Sequence, residues 1–250
     1  MIMKLYLCID DTDNIDSKGT GSIAQEIASL IESNGWGTCS SITRHQLLVH
    51  PDVPYTSHNS SMCFTADIDA DALEAVKAAA IQLLERESAE GSDPGICILV
   101  PEQLPQIQQQ EIVQFGLRAK REVMTKQEAY GLAESLSVHL SEHGGTGQGV
   151  IGALAGVGLR LSGNDGRFKG NHKLRSDSKT VLVKEILDET TIELIRTEDG
   201  FVLDLAEEIV LGEKLKSVFL NHQSVLLVEP AEIDGVQKWQ PCSGGTLKKY

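Results

Sequence analysis

The run Gly149-Val150-Ile151-Gly152-Ala153-Leu154-Ala155-Gly156-Val157-Gly158-Leu159 restricts the fold of this 250-residue chain more than any other segment. It is apolar throughout but carries little bulk. A helix made from it gains by packing only if other backbone comes very close to its small residues, so a tightly docked helix is expected here. Just before it lies Gly144-Gly145-Thr146-Gly147-Gln148-Gly149. Backbone N–H groups of Gly145, Gly147 and Gly149 could cradle phosphates there, helped by the positive end of the following helix. Thr146 and Gln148 would add donors, and His143 a phosphate or proton contact. No Gly-Lys-Ser/Thr follows, so this is not a Walker A loop, and a plain connector between helices is an equal alternative.

The N-terminus carries the second constraint. Lys4 to Ile9 alternates as a strand, and Ile23, Ile27, Leu30 and Ile31 recur at helical spacing over Ser22 to Asn34. Ser22 with Gln25 reads as a capping box and Gly35 as the stop. Between the two, Asp10, Asp11, Asp13 and Asp16 place four carboxylates within seven residues. They repel one another unless a cation or a donor-rich turn neutralises them. Oxygen ligands without His or Cys suit Mg²⁺ shared with waters and substrate phosphates, so Asp10, Asp11 and Asp13 are the expected metal ligands. An Asx-rich turn is the bland alternative.

The remaining segments predict strands at Ser40 to Val49, Met62 to Ile68 and Ile96 to Val100, with a helix over Asp71 to Arg86 making a β-α-β unit. A weak helix follows at Pro105 to Arg118. A strong one is expected over Thr125 to His143, opened by a capping box at Thr125 and Glu128. Beyond Thr180 the short runs Val181 to Ile186, Thr191 to Arg196, Phe201 to Leu205 and Ser224 to Val228 read as strands. Arg167, Lys169, Lys173 and Arg175 gather cations that could meet phosphate, although a solvated loop explains them as well. No Ser/His/Asp or Cys/His arrangement stands out along the chain.

A formal charge of −14 disfavours gripping nucleic acid by its phosphates. Cys8, Cys39, Cys63, Cys97 and Cys242 are odd in number and scattered, which suits reduced thiols rather than disulfides or a zinc ribbon. With no signal-peptide pattern and no long apolar run, a soluble, cytoplasmic protein without membrane contact is expected.

Taken in order, several of these segments resemble the archaeal tRNA agmatidine synthetase family. They are Ile9-Asp10-Asp11-Thr12-Asp13, Pro51-Asp52-Val53-Pro54-Tyr55 with Asn59, Asp93-Pro94-Gly95, Gly149-Val150-Ile151-Gly152-Ala153-Leu154, and Phe219-Leu220-Asn221 with Ser224-Val225-Leu226-Leu227. The resemblance implies an α+β protein in which a kinase-like domain (1–55 and 123–178) is interleaved with a ferredoxin-like domain (56–122 and 179–250). It implies ATP and Mg²⁺ as cofactors and phosphoryl transfer to a substrate oxygen, activating the substrate for attack by an amine such as agmatine, with the phosphorylated oxygen as leaving group. Asp10 and Asp11 would be catalytic, and Thr20 or Ser22 would stand for a threonine that the family phosphorylates. Gly145, Thr146, Gly147, Gln148, Gly149, Arg167 and Lys169 would bind the nucleotide. The family continues into an OB-fold and a zinc ribbon, neither expected in a chain ending at Tyr250. The chain is therefore expected to bind tRNA poorly alone. A nucleotide- or polyamine-sensing module, or a catalytic subunit served by an RNA-binding partner, are the alternatives.

Overall fold

β1 (Ile2–Asp10) is the strand on which the first half of the molecule is assembled. It pairs antiparallel with β4 (Ser60–Asp69) on one side and β5 (Gly95–Leu99) on the other. The computed structural model describes residues 1–53, 59–175, 178–233 and 235–250, in two compact units, Met1–Ser162 and Gly163–Tyr250. In the first unit, β6 (His139–Glu142) extends the sheet beyond β5. β2 (Gly37–Cys39) and β3 (Thr43–Gln46) both pair with β4. β4 and β5 flank β1 and are joined through α2 (Leu73–Glu87), so the expected β-α-β unit is a split one with β1 between its strands.

Alternation along the strands creates two cores. Leu5, Leu7 and Ile9 join Phe64, Ile68, Ile96 and Ile98 in packing against Ile23, Ile27 and Ile31 of α1 (Thr20–Ser33) and Val76, Ala80 and Leu84 of α2. On the opposite face Cys8, Cys63, Cys97 and Leu99 meet Ile112 and Phe115 of α3 (Gln106–Ala119) and Ala153, Leu154 and Val157 of α5 (Gly149–Leu161). Each fully buried aliphatic side chain contributes about 1.5–3 kcal/mol.

α5 is the tightly docked helix expected from its composition, buried at every position except Ile151 and Leu161. Its glycines face two neighbours. A Cβ at Gly152 would land on the Asp10 carboxylate, and one at Gly156 on Cys8 Sγ and Ser61 Oγ. On the α3 side, a Cβ at Gly158 would collide with the Ile112 carbonyl, and one at Gly116 would sit 2.7 Å from the Ala155 carbonyl. α5 is thus wedged between the sheet and α3 at backbone distance.

Several sequence expectations need correction. α1 starts at Thr20 with Gly19 as N-cap and no side-chain cap, because Thr20 and Gly21 are themselves buried; the Ser22–Gln25 box does not form. The helix expected over Thr125 to His143 is short. α4 (Lys126–Ser135) keeps the Thr125–Glu128 capping box, then ends as Ser137 takes φ +55° and the Val138 N–H donates to the Ala133 carbonyl. The next residues form β6, which pairs with the outer edge of β5. Of the strand expected over Ser40 to Val49, only Thr43–Gln46 is strand.

The second unit centres on β12 (Gln223–Ile233), paired antiparallel with β11 (Val218–Leu220) and β13 (Val236–Pro241) and parallel with β9 (Leu194–Arg196). β10 (Glu208–Val210) joins β13 to β8 (Thr180–Leu182), and β7 (Arg167–Phe168) pairs with β11. Val183 onward is a helix, α6 (Val183–Glu189), rather than a continued strand, since Glu185 accepts from the Leu182 N–H at its start. The run Phe201 to Leu205 makes one isolated bridge through Val202 instead of a strand. A short α7 (Gly244–Leu247) follows β13. The chain as a whole is α+β. Among the described residues no helix is long and apolar enough to cross a membrane.

The packing of α5 generates a paired prediction. Gly158→Ala should lower the unfolding free energy by about 1–3 kcal/mol, because neither the α3 backbone nor α5 can retreat. Gly131→Ala, on the exposed face of α4 with nothing within 4 Å of the new methyl, should raise it by about 0.4–1 kcal/mol. Urea unfolding of the two variants beside the parent measures both signs.

Candidate functional site

The even residues of β1 point away from the α1–α2 core, so Tyr6, Cys8 and Asp10 lie on the face covered by α5. Asp10 is the last of them and is 8% exposed. Asp11 turns the chain out of the strand with φ +51°, a left-handed conformation that costs a non-glycine residue about 1–2 kcal/mol. Thr12 is then fully buried, its carbonyl accepting from the Ala89 N–H at 2.9 Å. Asp13 accepts from the Thr20 hydroxyl at 3.0 Å, which ties the loop to the first turn of α1.

This arrangement opens a cleft. Asp10, Asp11, Asp13 and Thr20 line one side, and the start of α5, from Gln148 and Gly149 to Ile151 and Gly152, forms an adjoining wall. Leu47, Leu48, Ala119 and Met124 add apolar surface, with Asp52, Asn59 and Glu122 as further polar groups. Pro54 and Tyr55, part of the expected proline loop, lie outside the described residues.

Electrostatics mark the cleft as a place that lacks positive charge. Burial pushes the Asp10 carboxyl up to about 8, with Asp11 and Asp13 adding to the rise and a hydrogen bond from the Asp11 N–H opposing it. Asp11 is raised to about 6 by burial and then by the charges of Asp93 and Asp13, against a bond from the Asp93 N–H. Asp93 behaves in the opposite way. Burial works against its ionisation, but the hydroxyl and N–H of Thr146 and the N–H groups of Gln148 and Gly147 hold its carboxyl below the ordinary value.

Asp93 therefore links the two sequence signals. Its carboxylate takes the loop amides, and its own N–H donates to Asp11. The amides expected to face a phosphate are turned onto this carboxylate. The loop reaches that shape with φ +56° at Gly145 and +74° at Gly147, and a Cβ at Gly145 would land on Asp93. Lys126 closes the loop by donating to the Thr146 carbonyl at 2.7 Å and pairing with Glu142.

The structure gathers Asp10, Asp11, Asp13, Thr20, Gln148 and Gly149 from the expected set into one cleft. Ser22, Gly145, Thr146 and Gly147 do not line it, Asp16 is exposed, and Arg167 and Lys169 belong to the second unit. Among the described residues no group of three or more His, Cys, Asp and Glu side chains is placed to hold a metal ion. Sequence reading took Asp93 for a turn residue and missed Gly152 as the contact of Asp10. The only signal for the second was the Gly149, Gly152, Gly156 spacing, which puts one small face along a helix.

No family profile matches the chain. A curated relative does: tRNA(Ile2) 2-agmatinylcytidine synthetase TiaS of Pyrococcus horikoshii, 26% identical over 208 residues, covering 81% of this chain and 46% of that protein. This chain thus spans about half the length of the relative it matches. Among solved structures, TiaS in complex with tRNA(Ile2) and ATP aligns with TM-score 0.53 and 21% identity over 62% of this chain and 36% of that one. TiaS with tRNA(Ile2), AMPCPP and agmatine aligns with TM-score 0.52 and 17% identity over 80% and 49%. The resemblance found in the motifs holds across most of the chain, and the structural likeness is one of fold.

The raised carboxyls give a pH dependence of known sign. Folded Asp10 keeps its proton up to about pH 8, whereas the unfolded chain releases it near the ordinary carboxyl value of 3.8. The folded state thus binds more protons between these values, and its stability falls as pH rises through that window, levelling off above it. Asp10→Asn should flatten this slope relative to the parent and raise the stability of the ligand-free protein at pH 8. Urea unfolding at pH 5 and pH 8 checks the difference; equal slopes in the two proteins would contradict it.

Proposed function

We propose that the cleft binds ATP with Mg²⁺ and passes a phosphoryl group to a substrate oxygen, which a cationic amine then displaces. The name of the P. horikoshii relative, a tRNA(Ile2) 2-agmatinylcytidine synthetase, supports the amine as the second reactant. The observation that carries the reading is the meeting of Asp10, Asp11 and Asp13 with the first turn of α5 in one cleft. Carboxylates raised by burial and, after it, by one another's charge suit a hard cation held partly by waters and phosphates. Mg²⁺ would neutralise charge developing on the phosphates.

The chain's own residues have separable tasks. Asp10, Asp11 and Asp13 hold the cation, while the Gln148 side chain and the positive end of α5 receive phosphate oxygens, since the N–H groups of Gln148 and Gly149 donate to Asp93. Gly145, Thr146 and Gly147 act through Asp93, which sets the loop against Asp11. Thr20, whose hydroxyl already lies on Asp13, is the better placed of the two expected hydroxyl acceptors, because Ser22 lies off the cleft. Asp52 and Glu122 suit the cationic end of an amine such as agmatine, and the apolar wall at Leu47 and Met124 suits its methylenes. The kinase-like segments 1–55 and 123–178 and the ferredoxin-like segments 56–122 and 179–250 belong to this reading as an assignment of descent. Contacts divide the chain at a different place.

A second reading concerns tRNA. With a formal charge of −14, this chain has few means of neutralising a phosphate backbone, which favours an RNA-binding partner for any tRNA substrate.

Calorimetric titration with ATP tests the nucleotide site. Affinity should fall at least about tenfold when Mg²⁺ is chelated, the loss of roughly 1.4 kcal/mol, and by a similar factor in Asp11→Asn with Mg²⁺ present. Equal affinities under all three conditions would place the nucleotide elsewhere.

A further inference from the structure

A second group of reactive side chains lies on the outer strand of the same sheet and shares no residue with the Asp10 cleft. His139, Ser141 and His143 follow one another at two-residue spacing along and just beyond β6, so all three sit on one face. Ser141 Oγ lies 2.8 Å from His143 Nε2, and His143 Nδ1 lies 2.9 Å from Glu85 Oε1 on α2. His139 Nε2 is 3.1 Å from the same Ser141 oxygen.

The donor directions in this chain follow from Glu85. An ionised carboxylate only accepts, so His143 donates from Nδ1, and as a neutral imidazole it presents a bare Nε2. Ser141 must then donate to His143, and His139 must donate through Nε2–H to the Ser141 oxygen. His139 is suited to a neutral role: burial first, then the charge of Lys77, push it down to about 4 against the pull of Glu74. A hydroxyl donating to an imidazole that is oriented by a carboxylate is an activated nucleophile.

A cavity of about 370 Å³ begins at His139, within the size range of small-molecule sites. Ile98, Val100, Leu104 and Val138 give it apolar surface, while Glu74, Lys77, Gln103 and Ser137 make more of its lining polar than apolar. A mixed pocket beside a nucleophile, apolar in part and with a cation in its wall, fits the short acyl group of a small polar ester.

We propose that Ser141, His143 and Glu85 form an acyl-transfer centre that hydrolyses small carboxylic esters, their acyl chain held in the cavity beside His139. Ser141 Oγ forms a bond to the carbonyl carbon as its proton passes to His143 Nε2, and Glu85 stabilises the resulting imidazolium. The Lys77 ammonium, which lines the cavity together with His139, supplies positive charge for the oxygen that gains charge, while the single His139 N–H stays on the Ser141 oxygen. Breaking the bond to the leaving alcohol returns the proton from His143 to that alcohol. Water repeats the sequence on the acyl-serine and releases the acid, so ester and water give acid and alcohol with the protein unchanged. Ser141 and His143 are catalytic in this scheme, and Glu85 is a positioning residue.

The experiment treats the whole chain at pH 8 with a fluorophosphonate probe and, separately, with p-nitrophenyl acetate. Mass spectrometry of the unsubstituted protein should map a single adduct to Ser141, a readout that requires no variant to fold. Ester hydrolysis should disappear in Ser141→Ala and fall on the order of a hundredfold in His143→Gln. Glu85→Gln should lose much of the rate and Glu85→Asp regain part of it, a rescue that a merely structural contact would not give. An unlabelled Ser141, or hydrolysis unchanged in Ser141→Ala, overturns the proposal. ATP binding is measured on the same samples, and its presence or absence bears only on the Asp10 cleft.

Discussion

Backbone contact between α5 and the end of β1 is the constraint on which the first unit depends. Gly152 lies against the Asp10 carboxylate and Gly156 against Cys8 and Ser61, so the helix sits far closer to the sheet than Leu or Val at those positions would allow. α3 closes on the opposite side through Gly116 and Gly158. Glycines in a helix are individually unfavourable by about 0.5–1 kcal/mol, so their repeated use requires compensation from packing. The same closeness has a chemical result. It buries Asp10 under a helix N-terminus, lifting its proton affinity while keeping a positive dipole beside it.

Asp93 shows how that local charge problem spreads through neighbouring loops. A loop rich in free amides would be a natural anion site, yet here a carboxylate from the chain fills it and is stabilised as the anion. The amide of the same residue meets Asp11. The glycine loop and the aspartate loop are therefore one hydrogen-bonded unit, and any shift in one is transmitted to the other. This explains physically why a D-P-G turn, unremarkable alone, sits between them: Pro94 fixes the turn, and Gly95 lets the Gly149 backbone pass over β5.

Legibility in the sequence followed the range of the interaction involved. Strand alternation at Leu5, Leu7 and Ile9 and helical spacing at Ile23, Ile27 and Ile31 are local, and both elements lie where that spacing puts them. The gathering of Asp10, Asp11 and Asp13 was legible because the residues are adjacent. The partnership of Asp93 with Thr146 spans 53 residues and left no periodic trace. The start of α1 was misjudged because Ser22 offered a plausible cap, whereas burial of Thr20 and Gly21 decided the boundary.

The largest misreading also explains why one group of residues was invisible beforehand. On a helix running from Thr125 to His143, His139, Ser141 and His143 would step by about 200° per pair and could not share a face. On a strand they line up. What separates the two outcomes is Ser137, which takes a left-handed conformation usually left to Gly or Asn and so gives no sequence warning that α4 has ended. Once the helix stops, the unpaired edge of β5 takes up His139–Glu142 as a partner strand, satisfying backbone groups that would otherwise be left open. The facing side chain of Glu85 comes from α2, 58 residues away from His143. Edge pairing thus overrode local helix preference and created a polar constellation that neither segment encodes by itself.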